Sequence, residues 1–194
     1  PLFYKNNTLS NFFIIVSNLK PSDNGKKIIY GNQRVIEARL EDASFFWIKD
    51  NKSNFKNKTA DLERVIFHNK LGSMYDKILR LKKIATFFSE NIKLDNKSQR
   101  NLEDSINICK NDLVSELVRE FPSLQGIMGF YYAQQSGINN ATCSAIKEQY
   151  KPNGPNDLCP STKLSKILAL IDKMDTLVGL FIMDLGPTSS KDPY

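Results

Sequence analysis

Between Asn111 and Ala133 the chain reads NDLVSELVREFPSLQGIMGFYYA, and no other stretch limits its folding choices as strongly. The apolar residues recur at helical spacing, yet Asp112 lies among them, next to the inward-facing Leu113. A half-buried carboxylate is costly there unless it is paired or bound to a metal. Phe121-Pro122 stops the helix, because proline lacks the amide hydrogen and clashes with the preceding turn. Gly126 and Gly129 follow and flank a short apolar run ending in Tyr131-Tyr132-Ala133. Gly126-Ile127-Met128-Gly129 lacks the strand–turn–helix setting of a phosphate loop and reads as a close helix–helix contact. The tyrosine pair can stack on bases, but its apolar neighbours favour packing.

The rest of the chain is mostly helical in pattern. Val35, Ala38, Leu40, Ala43 and Phe46 mark a helix ending near Asp50, and Asn51 to Lys58 reads as a polar loop. Leu62, Val65, Ile66 and Leu71 suggest a short helix stopping at Gly72, after which Ser73 caps a longer one. One further helix runs from Ser98 to the Pro122 break, short helices follow near 123–135 and 140–149, and a last one spans about Lys163 to Met183. Leu2–Lys5 and Asn11–Val16 are β-rich runs around Asn6-Asn7-Thr8. A lone hairpin is barely stable in water, so these strands are expected to join a sheet elsewhere. The fold class is therefore mainly α. A β hairpin and linker from a preceding domain occupy residues 1–26, a helical domain 27–186, and a loop to the next domain 187–194. The chain reads as an internal piece of a longer protein.

At 41% hydrophobic and 25% charged residues, the composition is that of a soluble globular protein. No apolar run approaches the roughly 20 residues that span a bilayer, so no membrane partner is expected. Three cysteines, Cys109, Cys143 and Cys159, with no CxxC pair argue against a disulfide framework or zinc knuckle and point to the cytoplasm. The net charge of +6 suits an anionic partner such as RNA, although the lysines are spread along the chain.

Catalytic constellations are scarce. The single histidine, His68, has no local partners for a triad. Asp172 lies in a second apolar run, and Asp175, three residues on, can face the same side. One inward Asp on a middle helix and another on the last is similar to the HD metal-phosphohydrolase architecture. On that alignment Asn111-Asp112 stands for the His-Asp pair, Asp172 for the closing Asp, and the first His falls near Leu71-Gly72. An amide is a poor transition-metal ligand, and two carboxylates hold Mg²⁺ only weakly through its waters. The expectation is a vestigial HD site at Asn111, Asp112 and Asp172 that binds no metal. Lys77, Lys110 or Lys173 would neutralise the carboxylates. No catalytic residue is assigned.

Seven segments in register carry a closer resemblance. They are Phe12–Asn18, Gly31–Phe46, Leu71–Lys77, Asn111–Leu113, Glu120–Ala133, Asp172–Phe181 and Pro187–Pro193. The chain resembles an internal part of the beta subunit of the bacterial two-subunit glycyl-tRNA synthetase. It departs from that family at His68, where Gln or a similar residue is usual, and at Asn111, where Ala or Cys is. The resemblance implies an HD-like helical domain in one subunit of a cytoplasmic α₂β₂ heterotetramer. The whole enzyme joins glycine to tRNA(Gly) using ATP and Mg²⁺, and neither cofactor maps onto these residues. Partners so implied are tRNA(Gly), the alpha subunit and the rest of the beta subunit. This piece alone is expected to be inactive. Candidate tRNA phosphate contacts are Arg34, Arg39, Lys77, Arg80 and Lys191. Two other readings are an HD-type phosphohydrolase acting on nucleotides or RNA ends, and a structural module docking the alpha subunit.

Overall fold

The computed structural model describes residues 2–184. The chain divides into two compact units, one up to Phe45 and one from Phe46 onward. In the first, Phe3 and Leu9 form a single antiparallel bridge around a tight turn, with Tyr4 N–H donating to Thr8 O at 2.9 Å. The returning segment is therefore Thr8–Ser10 rather than the expected Asn11–Val16, which forms no strand. Helix α1 (Lys26–Asp50) begins in this unit and runs into the second.

The second unit is helical. After α1 come a 3-10 helix (Phe55–Arg64), a two-stranded antiparallel pair of β1 (Ile66–His68) and β2 (Gly72–Ser73), and helix α2 (Met74–Asn91). The expected short helix stopping at Gly72 is thus corrected. Leu62 belongs to the 3-10 helix, and the β-branched run Val65-Ile66 favours a strand. Gly72, at φ +84°, makes the return. Ser73 does cap α2, as its position predicts: its Oγ accepts from Asp76 N, and Asp76 Oδ2 accepts from Ser73 N.

Helix α3 (Asn96–Ile108) is followed by a 3-10 turn (Asn111–Val114) and helix α4 (Glu116–Glu120). The single helix expected from Ser98 to Pro122 is therefore broken. Ser115 in extended conformation caps α4 through Val118 N. Its hydroxyl also donates to Asp112 O at 2.7 Å. A short 3-10 turn at Pro122–Leu124 leads to α5 (Ile127–Gln135), α6 (Asn140–Glu148) and α7 (Lys163–Ile182). Leu62, Ile78, Leu81, Leu102, Ile106, Ile146, Leu168 and Ile171 meet in the core with no solvent exposure.

Candidate functional site

Asp172 and Asp175 sit on the buried side of α7, as their spacing predicts. Lys77 and Arg80 approach them from α2, and Lys110 from the turn after α3. Lys77 Nζ lies 3.0 Å from Asp175 Oδ2 and 3.3 Å from Asp172 Oδ1. It also donates to Asp172 O at 3.2 Å and to Thr176 Oγ1 at 2.7 Å. Arg80 grips Asp175 with Nε at 2.6 Å and Nη2 at 3.2 Å, and donates through Nη1 to Leu71 O. Lys110 Nζ is 3.0 Å from Asp172 Oδ1. Neither ammonium meets Oδ1 with hydrogen-bond geometry, so these two contacts are ionic.

Both lysines are only 2% exposed. Taking such charges out of water is expensive unless every one is answered. Aromatic faces add to the answer, with Lys77 4.6 Å from the Phe67 ring centre and Lys110 4.1 Å from that of Tyr150. Burial is the strongest single influence on Asp172 and pushes its carboxyl up. The ammonium groups of Lys110 and Lys77 together outweigh it and hold the carboxyl below its ordinary range. Burial likewise favours a neutral Lys110, but Asp172 and the neighbouring Tyr150 and Cys109 reverse that and raise it. Cys109, against the same cluster, is pushed up to about 12 by burial and is an inert thiol. A cavity of about 370 Å³ opens beside these groups, lined by Phe67, Met74, Lys77, Lys110, Tyr150 and Thr176 among others.

Asp112 serves a different structure. Its Oδ2 accepts from Gly126 N at 2.5 Å, at the start of α5, which has no side-chain cap of its own. A carboxylate at a helix N-terminus is favoured by the exposed amides and the helix dipole. Gly126 takes φ +77°, a conformation that side chains resist. A Cβ at Gly129 would stand 2.8 Å from Ile146 Cγ2 and 3.2 Å from Asp112 Cγ. The second glycine therefore makes room for both α6 and the carboxylate. Burial pushes Asp112 up to about 6, against the opposing pull of the Gly126 amide and Lys110. Its Oδ1 has no hydrogen-bond partner among the described residues. Asn111 points its amide elsewhere, donating to Phe55 O at 2.9 Å and Thr59 Oγ1 at 3.1 Å. It pins the first 3-10 helix to the turn.

These positions do not fit a metal ion. Two ammonium groups already lie against Asp172, the Asn111 amide nitrogen is spent on Phe55 and Thr59, and Asp112 caps α5. Among the described residues no group of three His, Cys, Asp or Glu side chains is placed to hold one. Of the three lysines expected to neutralise the carboxylates, Lys77 and Lys110 stand at Asp172, while Lys173 donates to Tyr150 O. His68 lies in β1 and accepts from Lys70 N.

The candidate phosphate contacts separate. Arg34 and Arg39 are exposed on α1, with Arg34 5.9 Å from the Tyr30 ring centre. The expectation for Lys77 is corrected, because its ammonium is buried and surrounded by oxygens of α7. Arg80 is part-exposed, and its guanidinium is engaged by Asp175 and Leu71 O. Lys191 lies outside the described residues.

One buried carboxylate escaped the sequence reading. Asp50, at the end of α1, accepts from Glu116 N at 3.0 Å, Leu117 N at 3.1 Å and Tyr132 Oη at 2.8 Å. Trp47 stacks on Tyr132 at 5.2 Å, so Tyr132 packs as predicted, while Tyr131 is 46% exposed. A terminal Asp followed by polar residues carries no sequence signal of such a role.

Fold and site together define a mainly α module whose buried carboxylates are answered by its own cations and amides. The family described as "Glycyl-tRNA synthetase beta subunit" matches the chain over residues 1–194. Among curated relatives called glycine–tRNA ligase beta subunit, that of Rickettsia peacockii is 43% identical over 193 residues. That of Neisseria meningitidis serogroup A is 41% identical over 194 residues, and that of Janthinobacterium sp. 40% over 194. Each match covers 100% of this chain and only 27% or 28% of the relative. The chain belongs to the glycyl-tRNA synthetase beta subunit family. No described helix is long and apolar enough to cross a membrane.

Proposed function

We propose that the chain is the HD-like, tRNA-recognising and scaffolding part of a glycine–tRNA ligase beta subunit. The whole cytoplasmic enzyme, with its alpha subunits, would join glycine to tRNA(Gly) using ATP and Mg²⁺. This part would hold neither cofactor. The observation that carries the reading is the match along the entire chain to beta subunits. Lysines in contact with the carboxylate that an HD enzyme would give to metal support a non-hydrolytic role. Phosphate contacts would supply affinity and set register, with Arg34 and Arg39 the exposed candidates on α1. Charge reversal at Arg34 and Arg39 in the intact enzyme is expected to weaken tRNA(Gly) binding and flatten its salt dependence. Unchanged binding would remove these two residues from the interface. Turnover of 2′,3′-cyclic or nucleoside phosphates with added Mn²⁺, or anomalous density between Asp112 and Asp172 in a Mn²⁺-soaked crystal, would overturn the non-hydrolytic reading.

A further inference from the structure

The segment from Lys49 to Lys58 reads KDNKSNFKNK and carries four lysines in ten residues. Its single acid, Asp50, is turned inward to cap α4 and bind Tyr132, and of the four lysines it pairs only with Lys58. Lys49 pairs with Glu116. Lys58 is half-buried, 3.8 Å from Asp50 and 6.0 Å from the Tyr132 ring centre. Lys52 and Lys56 are exposed, and neither side chain makes an ion pair among the described residues.

The expected loop over Asn51–Lys58 is shorter than its polarity suggests, because Phe55–Lys58 opens the 3-10 helix, and the whole loop segment from the end of α1 is braced from below. Phe55 is 3% exposed and anchors it in the core. Asn51 Nδ2 donates to Trp47 O, Ser53 Oγ to Asp50 O, and Lys56 N to Asn54 Oδ1. The lysines therefore project from an ordered turn, which lowers the entropy cost of binding. Beside it lies a cleft of about 280 Å³ lined by Lys52, Lys56, Lys58, Asn54 and Gln135, with the inward-turned Asp50 at its wall.

We propose that this loop and cleft form a docking surface for the phosphate backbone of RNA. The outward groups of the loop are ammonium ions, amides and a hydroxyl, which match phosphate and ribose oxygens. A protein partner would call for an apolar or aromatic anchor at the centre of the patch. The loop's only aromatic residue, Phe55, is buried. The inference rests on the reading of the whole enzyme as a tRNA ligase. It moves the main phosphate contact to a part of the chain that the spread of lysines along the sequence concealed.

The test uses the full-length beta subunit with its alpha subunit, comparing Lys52→Glu/Lys56→Glu and Lys52→Gln/Lys56→Gln with wild type. tRNA(Gly) affinity is measured across a salt series. Both pairs are expected to reduce the slope of log K against log[salt] by about 1.4 to 1.8, the value for two phosphate contacts. The Glu pair should weaken binding at least tenfold, the Gln pair less, with melting temperature and alpha-subunit association unchanged. Unaltered slope and affinity overturn the proposal, as does a loss of alpha association that makes the loop a protein contact. Amide hydrogen exchange with bound tRNA separates the two levels of argument. Protection within residues 46–182 that omits 49–58 defeats only this surface. No protection anywhere in that span or along α1, where Arg34 and Arg39 lie, defeats the tRNA-recognition reading as well.

Discussion

Replacing Asp112 by Asn tests the capping assignment through its pH dependence. The carboxyl is fully buried and its folded-state value is raised from 3.8 to about 6, chiefly by burial. A carboxyl raised in this way favours the fold while protonated. That contribution is complete below pH 3.8 and is lost as pH climbs through about 6. At about 1.4 kcal/mol per pH unit, the gap corresponds to about 3 kcal/mol. An Asn at this position keeps an oxygen for the Gly126 amide and does not titrate. Other titrating groups contribute to both proteins and cancel in the difference. Denaturant unfolding of wild type and Asp112→Asn, followed from pH 3.5 to 7.5, should therefore show the variant gaining on wild type by about 3 kcal/mol as pH rises. The absolute offset depends on how well the new amide nitrogen, placed where Oδ1 lacks a partner, is satisfied. The swing does not. A swing below about 1 kcal/mol, or one of opposite sign, would refute the picture of a buried charged cap.

Other consequences follow from the same contacts. Lys77→Met should cost about 3–5 kcal/mol in unfolding free energy, because it leaves Asp172 and Asp175 buried with fewer partners. Adding Asp175→Asn should recover part of that loss. Gly129→Ala should cost about 1–3 kcal/mol by forcing Ile146 and Asp112 apart, read as a lower melting temperature. Asp50→Ala should cost about 3 kcal/mol, since two α4 amides and the Tyr132 hydroxyl lose a charged acceptor. His68→Ala should change stability by less than about 0.5 kcal/mol, and tRNA binding by the intact enzyme not at all.

Local patterns made much of the helical frame legible. Ser73 announced the cap of α2, the α1 stripe ended at Asp50, and the three-residue spacing of Asp172 and Asp175 put both on one side of α7. Local reasoning failed where a distant partner decides. Apolar periodicity continues from Leu102 to Leu117, so nothing along the chain reveals that Asp112 leaves the helical path to meet Gly126. Lys77 and Asp175 lie far apart in sequence, and an exposed phosphate-binding lysine looks no different there from a buried one. Gly129 did signal close packing, but only the fold shows that the space it leaves is shared by a carboxylate and Ile146. The lysines of residues 49–58 were visible, yet their effect depends on Asp50 turning inward, which its neighbours do not signal.

The oxygen cage around Lys77 has a consequence for how this domain depends on its surroundings. A bound metal is a separate molecule, which leaves when its free concentration falls or a chelator competes for it. The ammonium of Lys77 arrives with the polypeptide, one per chain, and cannot be stripped away. The junction of α2 and α7 is thus independent of cellular metal supply. Its charge balance is inherited with the gene instead of being assembled after translation.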